Sequence, residues 1–247
     1  MKTKLLFAIF VMLAFFASGQ HETIISPAQI GEIKVTPPEF TGINVAKTTN
    51  DLSLISSYLM ENVAYPDNDV NHGSQGTEVV QFTVTAEGNV TDFKVINSVS
   101  WEIDQEIIRV LKTTNGMWKP GYNNNQQVDM TKEVSMMFCL RELDKPVGEI
   151  FTGWASASYT KGSKALFEKR NVHKALKCFD DGINYLPYDK SLLMLRGICR
   201  YELGNKEGAF EDWNRMSNLG CDIDMSDYAE LLQSMKGYED LMAFIKK

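Results

Sequence analysis

From Val80 onward, apolar Val80, Phe82, Val84 and Ala86 alternate with polar Gln81, Thr83 and Thr85. That period of two predicts a strand with one buried face. Glu87-Gly88-Asn89 turns the chain, with Gly88 supplying the positive φ of a tight hairpin, and a second strand runs through Phe93 and Val95. Ile103, Ile107, Val110 and Leu111 then recur at helical spacing from about Trp101 to Lys112. A Gly/Asn/Gln-rich loop, Gly121 to Gln127, leads to a third strand over Thr131 to Leu140. There Val134, Met136, Phe138 and Leu140 share one face, and Ser135, Met137 and Cys139 point outward. Ahead of the first strand, Leu52, Ile55 and Leu59 mark a helix capped by Asn50 or Asp51 and closed by Tyr65-Pro66. A Gly/Asn/Ser loop, which includes His72, follows it. The order predicts an α+β fold: a small three-stranded antiparallel sheet with two helices on one face and at least one open edge.

From residue 155 onward the pattern is helical throughout. Ser163 and Gly197, Ala175 and Ala209, and Phe179 and Trp213 are each 34 residues apart. That period is the signature of a tetratricopeptide (TPR) helix–turn–helix repeat, and Pro187, Gly197, Gly204, Ala209 and Trp213 fall at its expected offsets. Gly162, Ser163 and Leu166 fit the first helix less well, and Gly182 stands where Ala is usual. Tyr228, Leu231, Leu232 and Met235 indicate an incomplete third unit or a terminal cap. The expected boundaries are 1–19 for a leader, 20–50 for an extended segment, 51–141 for the α+β domain, 142–154 for a linker and 155–247 for the repeats. Pro146, Gly148 and Gly153 lie in a stretch of little periodicity, Glu142 to Lys161, expected to join two separately folding halves.

Residues 1–19 combine Lys2 and Lys4, an apolar run from Leu5 to Ala17, and Ala17-Ser18-Gly19, the parts of a secretory signal peptide. Cleavage after Gly19 leaves Gln20 first and places the chain in the periplasm. The alternative is a leader retained as an inner-membrane anchor. The run is short of the ~18 apolar residues that a spanning helix needs. Net charge is −7 over the 247 residues, which argues against nucleic acid or an anionic membrane surface as partner. The acidity sits in residues 20–162, with 10 basic and 18 acidic side chains, and would favour a partner with basic flanks. Cys139, Cys178, Cys199 and Cys221 form no CxxC and have no His at ligand spacing, so no metal site is expected. They read as buried small hydrophobes rather than an obligatory disulfide. His21, His72 and His173 have no nucleophile or ligand partner in sequence, and no phosphate-binding Gly loop occurs. No cofactor and no enzymatic activity are expected.

Pro37-Pro38-Glu39-Phe40, Tyr65-Pro66, Gly76 to Val84, Glu87 to Val95, Ile103-Asp104, Glu106 to Arg109 and Trp118-Lys119-Pro120-Gly121 stand in order over residues 37–140. This stretch resembles the C-terminal domain of TonB, the periplasmic energy transducer of Gram-negative envelopes. The resemblance implies that Asn62 and Tyr65 contact the short receptor peptide called the TonB box, or that Tyr65 is a half-buried packing residue. It also implies that the third strand is the edge to which that peptide adds, with Ser135, Met137 and Cys139 as the outward set. Trp118 is expected to plug the helix–sheet core, with Pro120-Gly121 fixing the turn after it. A full TonB also carries an uncleaved N-terminal helix and a long Pro-rich rod; this sequence holds only 7 Pro. The expected function is a non-catalytic periplasmic interaction module. Its TonB-like domain takes an extended peptide, from an outer-membrane receptor or a TonB-system component, and its repeats hold a second protein. The alternative is a true energy-transducing component with the leader as its anchor.

Overall fold

The computed structural model describes residues 34–42, 54–140, 145–220 and 226–245. The leader, the capping residues Asn50 and Asp51, Leu52 and Cys221 lie outside these. Helix α1 (Leu54–Asn62) buries Ile55 and Leu59 and ends before Tyr65. Pro66 does not close that helix; it sits at the N-cap of a short second one, α2 (Asp67–His72), which replaces the expected loop. Proline suits this place because a helix start needs no N–H from it. His72 Nδ1 is 2.7 Å from the Asn68 carbonyl, inside that helix.

Strands β3 (Gly76–Val84), β4 (Val90–Asn97) and β8 (Met130–Phe138) form an antiparallel sheet in the order β4-β3-β8. Between β4 and β8 runs α3 (Trp101–Thr113), capped by Ser100, whose hydroxyl accepts from the Ile103 N–H at 3.1 Å. Its buried stripe is Ile103, Ile107, Val110 and Leu111, as the spacing predicted. Val80, Phe82, Val84, Val134 and Phe138 pack on it with Phe40, Ile55, Leu59 and Trp118. Trp118 fills the core as expected, 5% exposed, with Nε1 donating to Thr114 Oγ1 at 3.0 Å. Gly88 has φ 83° at the hairpin, also as expected.

The loop expected over Gly121 to Gln127 is instead a hairpin of β6 (Gly121–Asn123) and β7 (Gln126–Val128), paired with β1 (Val35–Thr36). Asn124 and Asn125 turn it with φ of 48° and 67°. Two consecutive left-handed residues suit a two-residue hairpin, and Asn tolerates that region better than most side chains. A further two-stranded ladder joins β2 (Glu39–Phe40) to β5 (Trp118–Lys119). Gly121 is not a positive-φ turn residue; a Cβ there would lie 2.9 Å from Met130 Cγ, so the Met130 side chain packs where a larger residue would need room.

The helical half begins earlier than expected. Helix α4 (Val147–Ser163) includes residues 147–154, expected as linker, and continues into a π-helical turn, Lys164–Glu168. Pro146 at its N-cap marks where it starts. Then come α5 (Val172–Tyr185), α6 (Lys190–Glu202), α7 (Lys206–Asn218), α8 (Ser226–Leu232) and α9 (Tyr238–Ile245). Asn171, Asp189 and Asn205 cap α5, α6 and α7 with side-chain oxygens 2.9–3.0 Å from the third N–H beyond them. Ala175, Ala209, Phe179 and Trp213 are all fully buried. Leu231 departs from its expected packing role at 43% exposure, while Leu232 and Leu241 close the core. Gly204, just past α6, has φ 89°.

The α+β half and the helices belong to one compact unit, Lys34–Lys247, and touch directly. Thr77 Oγ1 donates to the Tyr185 carbonyl at 2.7 Å, and Asn184 Nδ2 to the Gln75 carbonyl at 2.8 Å. The first half of β3 is therefore buried on both faces, Thr77 and Val79 included.

Candidate peptide-binding site

The open edge can be located from the hydrogen-bond alternation. Asn97 Nδ2, on the β4 side, donates to the Thr77 carbonyl at 2.7 Å. A residue of an antiparallel strand turns its N–H and C=O to the same side, so Thr77 faces β4 while Gly76 and Glu78 face β8. Their partners in register are Phe138 and Met136. These exchange the ladder bonds, and Glu133, Ser135 and Met137 turn their N–H and C=O to the outer side. Leu140 follows the same parity, donating its N–H inward to Gln75 Oε1 at 3.1 Å. Among the described residues no further strand pairs with β8.

Two cavities flank this edge. On the helix-bearing face, one of about 340 Å³ is lined by Phe40, Leu54, Ile55, Trp118, Lys132 and Val134. On the opposite face, one of about 330 Å³ lies between Ser135 and Met137 of β8 and the α5–α6 turn at Leu186, Pro187 and Tyr188. Met137 is 50% exposed and Tyr188 38%. The Tyr188 hydroxyl faces Glu133 and Ser135, and burial together with the Glu133 carboxylate pushes its pKa up to about 12. Arg215 of α7 stacks on the Tyr188 ring at 5.0 Å and donates to both Glu133 oxygens, at 2.8 and 3.3 Å. This pair ties β8 to the helices.

The sequence-predicted residues divide. Ser135 and Met137 lie together on the open edge strand. Cys139 does not: it follows the strand's last residue, half-buried, with its thiol 3.5 Å from Gln75 Oε1. Asn62 is exposed at the end of α1, and its Nδ2 donates to the Tyr58 carbonyl at 2.8 Å. The Tyr65 ring packs edge-on against Phe138 at 5.2 Å, and its hydroxyl donates to the Ser74 carbonyl. Burial and the Asp69 carboxylate push the Tyr65 pKa up to about 12. The α3 pair Glu106–Arg109 is bidentate at 2.7 and 2.8 Å. It also clamps the end of α1, through the Asn62 carbonyl and the Ala64 N–H. Sequence reasoning missed the wall of the edge groove, the α5–α6 turn from Leu186 to Tyr188; the apolar run Tyr185-Leu186-Pro187-Tyr188 between two helices was its one signal.

A polar cavity of about 550 Å³ lies between the sheet and α6–α7, lined by Lys94, Arg196, Arg200, Arg215, Glu133 and Asp212 among others. Its arginines are engaged. Arg196 donates to both Asp212 oxygens at 2.6 and 3.0 Å, and Arg200 meets Asp212 at 3.1 Å. Burial pushes the Asp212 carboxyl up, against the pull of these two cations. The cleft is a cross-linked seam. Among the described residues no group of three or more His, Cys, Asp or Glu is placed to hold a metal. Among them also, no helix is long and apolar enough to cross a membrane.

The fold and edge define an α+β module whose strand β8 pairs with β3 on one side and, among the described residues, with no strand on the other. Residues 61–140 match the family model described as Gram-negative bacterial TonB protein C-terminal. The NMR solution structure of the Helicobacter pylori TonB C-terminal domain aligns at 20% identity, over 36% of this chain and 92% of that one, with a TM-score of 0.28. The comparison with curated proteins gives no match. The segment 61–140, about a third of the chain, is thus similar to the C-terminal domain of TonB.

Proposed function

We propose that the protein is a non-catalytic interaction module of the periplasm, which takes an extended peptide by strand addition at the outer edge of β8. The observation that carries this reading is the orientation of Ser135 and Met137, whose backbone groups face away from β3 with no strand beyond among the described residues. An added strand satisfies such groups without requiring particular side chains, and selectivity then comes from alternate side chains. The peptide belongs to an envelope protein, an outer-membrane receptor or a component of the TonB system. The helices act as TPR-like repeats that hold a second protein while bracing the sheet, and the leader is removed after Gly19.

The test is amide hydrogen exchange with envelope peptides recovered by crosslinking. Binding should protect the Ser135 and Met137 amides specifically, and Met137→Pro, which removes one outward donor, should abolish it. Protection confined to the helices would move the binding surface there. N-terminal sequencing that recovers Met1 would instead favour the anchored, energy-transducing alternative.

A further inference from the structure

We propose that the α5–α6 turn is the side-chain reader of the β8 edge: an extended peptide with basic flanks places one bulky apolar side chain between Met137 and Tyr188. This rests on strand addition at β8. A strand paired to β8 sets alternate side chains about 4.5–5.5 Å from their cross-strand partners on the same face. On the face of Ser135 and Met137, those side chains meet the cavity closed by Leu186, Pro187 and Tyr188.

The wall is held firmly. Arg215 covers the Tyr188 ring, donates through Nε to the Pro187 carbonyl at 3.4 Å, and grips Glu133 on β8 itself. The turn and the strand are thus fixed to each other, and the groove between them is pre-formed. Its lining is apolar apart from Thr77, Ser135 and Asp189. Asp189 is part of that lining, and its Oδ1 accepts from the Leu192 N–H at 2.9 Å. The flank follows from charge: residues 20–162 carry 18 acidic against 10 basic side chains, and Asp189 adds a carboxylate to the groove. Basic residues in the flanks of the peptide are attracted to this acidic half, and acidic ones are repelled.

The probe is a synthetic peptide, Lys-Thr-Thr-Thr-Xaa-Thr-Thr-Thr-Lys, with Xaa as Ala, Leu or Phe, and a second set with Glu at both ends. Affinities are measured by fluorescence anisotropy on the full chain, with exchange protection of Ser135 and Met137 as the report of strand addition. The Phe and Leu peptides should bind about tenfold or more tightly than the Ala peptide, as an apolar side chain leaves water. The Lys-flanked set should exceed the Glu-flanked one. Tyr188→Ala and Met137→Ala, checked for folding by circular dichroism, should each reduce the Phe-over-Ala preference to within about threefold. If the guests protect β8 equally in the wild type, strand addition stands and the reader is wrong. A preference that survives both substitutions overturns the reader as well. If no peptide protects β8, the strand-addition reading itself fails.

Discussion

Asn184, at the end of α5, reaches across Gly76 to donate to the Gln75 carbonyl at 2.8 Å. A Cβ at Gly76 would lie 2.6 Å from Asn184 Oδ1, so a side chain there would displace the Asn184 amide from this contact. Gly76→Ala should force this contact apart at a cost of about 1–3 kcal/mol. Limited proteolysis should leave one resistant core spanning both halves in the wild type, and cut between the halves faster in the variant. Two fragments already in the wild type would show that the contact does not hold the halves together.

The helices use glycine in the same way, to let an aromatic ring against a backbone. A Cβ at Gly197 would fall 2.7 Å from Trp213 Cδ1, and one at Gly162 would fall 2.6 Å from Phe179 Cε1. Gly197→Ala and Ala209→Leu should each overpack the core around fully buried Trp213, costing about 1–3 kcal/mol. Thermal melting of the full chain checks both, and unchanged melting temperatures would contradict this packing.

These two glycines show where sequence reading reaches and where it stops. Phe179 and Trp213 are 34 residues apart, but the glycines beneath them are 35 apart, so a strict period pairs Gly197 with Ser163. The π-helical turn at Lys164–Glu168 lies between Gly162 and Phe179 and accommodates the extra residue. A bulge of this kind has no signature in hydrophobic spacing. The sheet, the α3 stripe and the Trp118 plug were legible because each follows a local period or fills one core. The burial of Thr77 and Val79 was not, since their neighbours come from helices about a hundred residues later. Met137 was legible as outward from alternation alone. The wall it faces was not, because the Leu186–Tyr188 turn meets the strand only once the halves dock.

Glu78 sets a pH dependence. Its side chain is 1% exposed on the central strand, with Oε2 accepting from the Val99 N–H at 2.8 Å. Burial, with Asp104 nearby, lifts its pKa from 4.5 to about 9 although the Val99 bond opposes this. An acid whose pKa rises on folding contributes its full stability below the unfolded value, and loses it as pH climbs toward the folded value. Wild-type stability should therefore decline from about pH 5 to pH 9 by up to a few kcal/mol. Glu78→Gln stays neutral and keeps a carbonyl acceptor for Val99, so its melting temperature should be flatter over that range and exceed the wild type's at pH 9. Parallel profiles for the two proteins would mean that Glu78 is not the source.

Tyr65 is the residue for which the resemblance and the geometry pull in different directions. As a peptide contact its loss should weaken binding; as a packing residue its loss should weaken the fold. The ring lies 5.2 Å from Phe138 and the hydroxyl bonds the Ser74 carbonyl, so both ends of the side chain are already committed. Tyr65→Phe removes only the hydroxyl, leaves the carbonyl to solvent or turn, and should cost about 0.5–1.5 kcal/mol. Tyr65→Ala removes the ring as well and should cost about 3–5 kcal/mol, in the range of other buried aromatic truncations, less whatever part of the ring water already reaches. Denaturant unfolding measures both, and titration of a β8-binding peptide onto Tyr65→Phe supplies the second axis. With Tyr65 as a packing residue, Tyr65→Phe should melt earlier yet bind as the wild type does. A variant that keeps its stability and loses affinity would return Tyr65 to the peptide-binding surface.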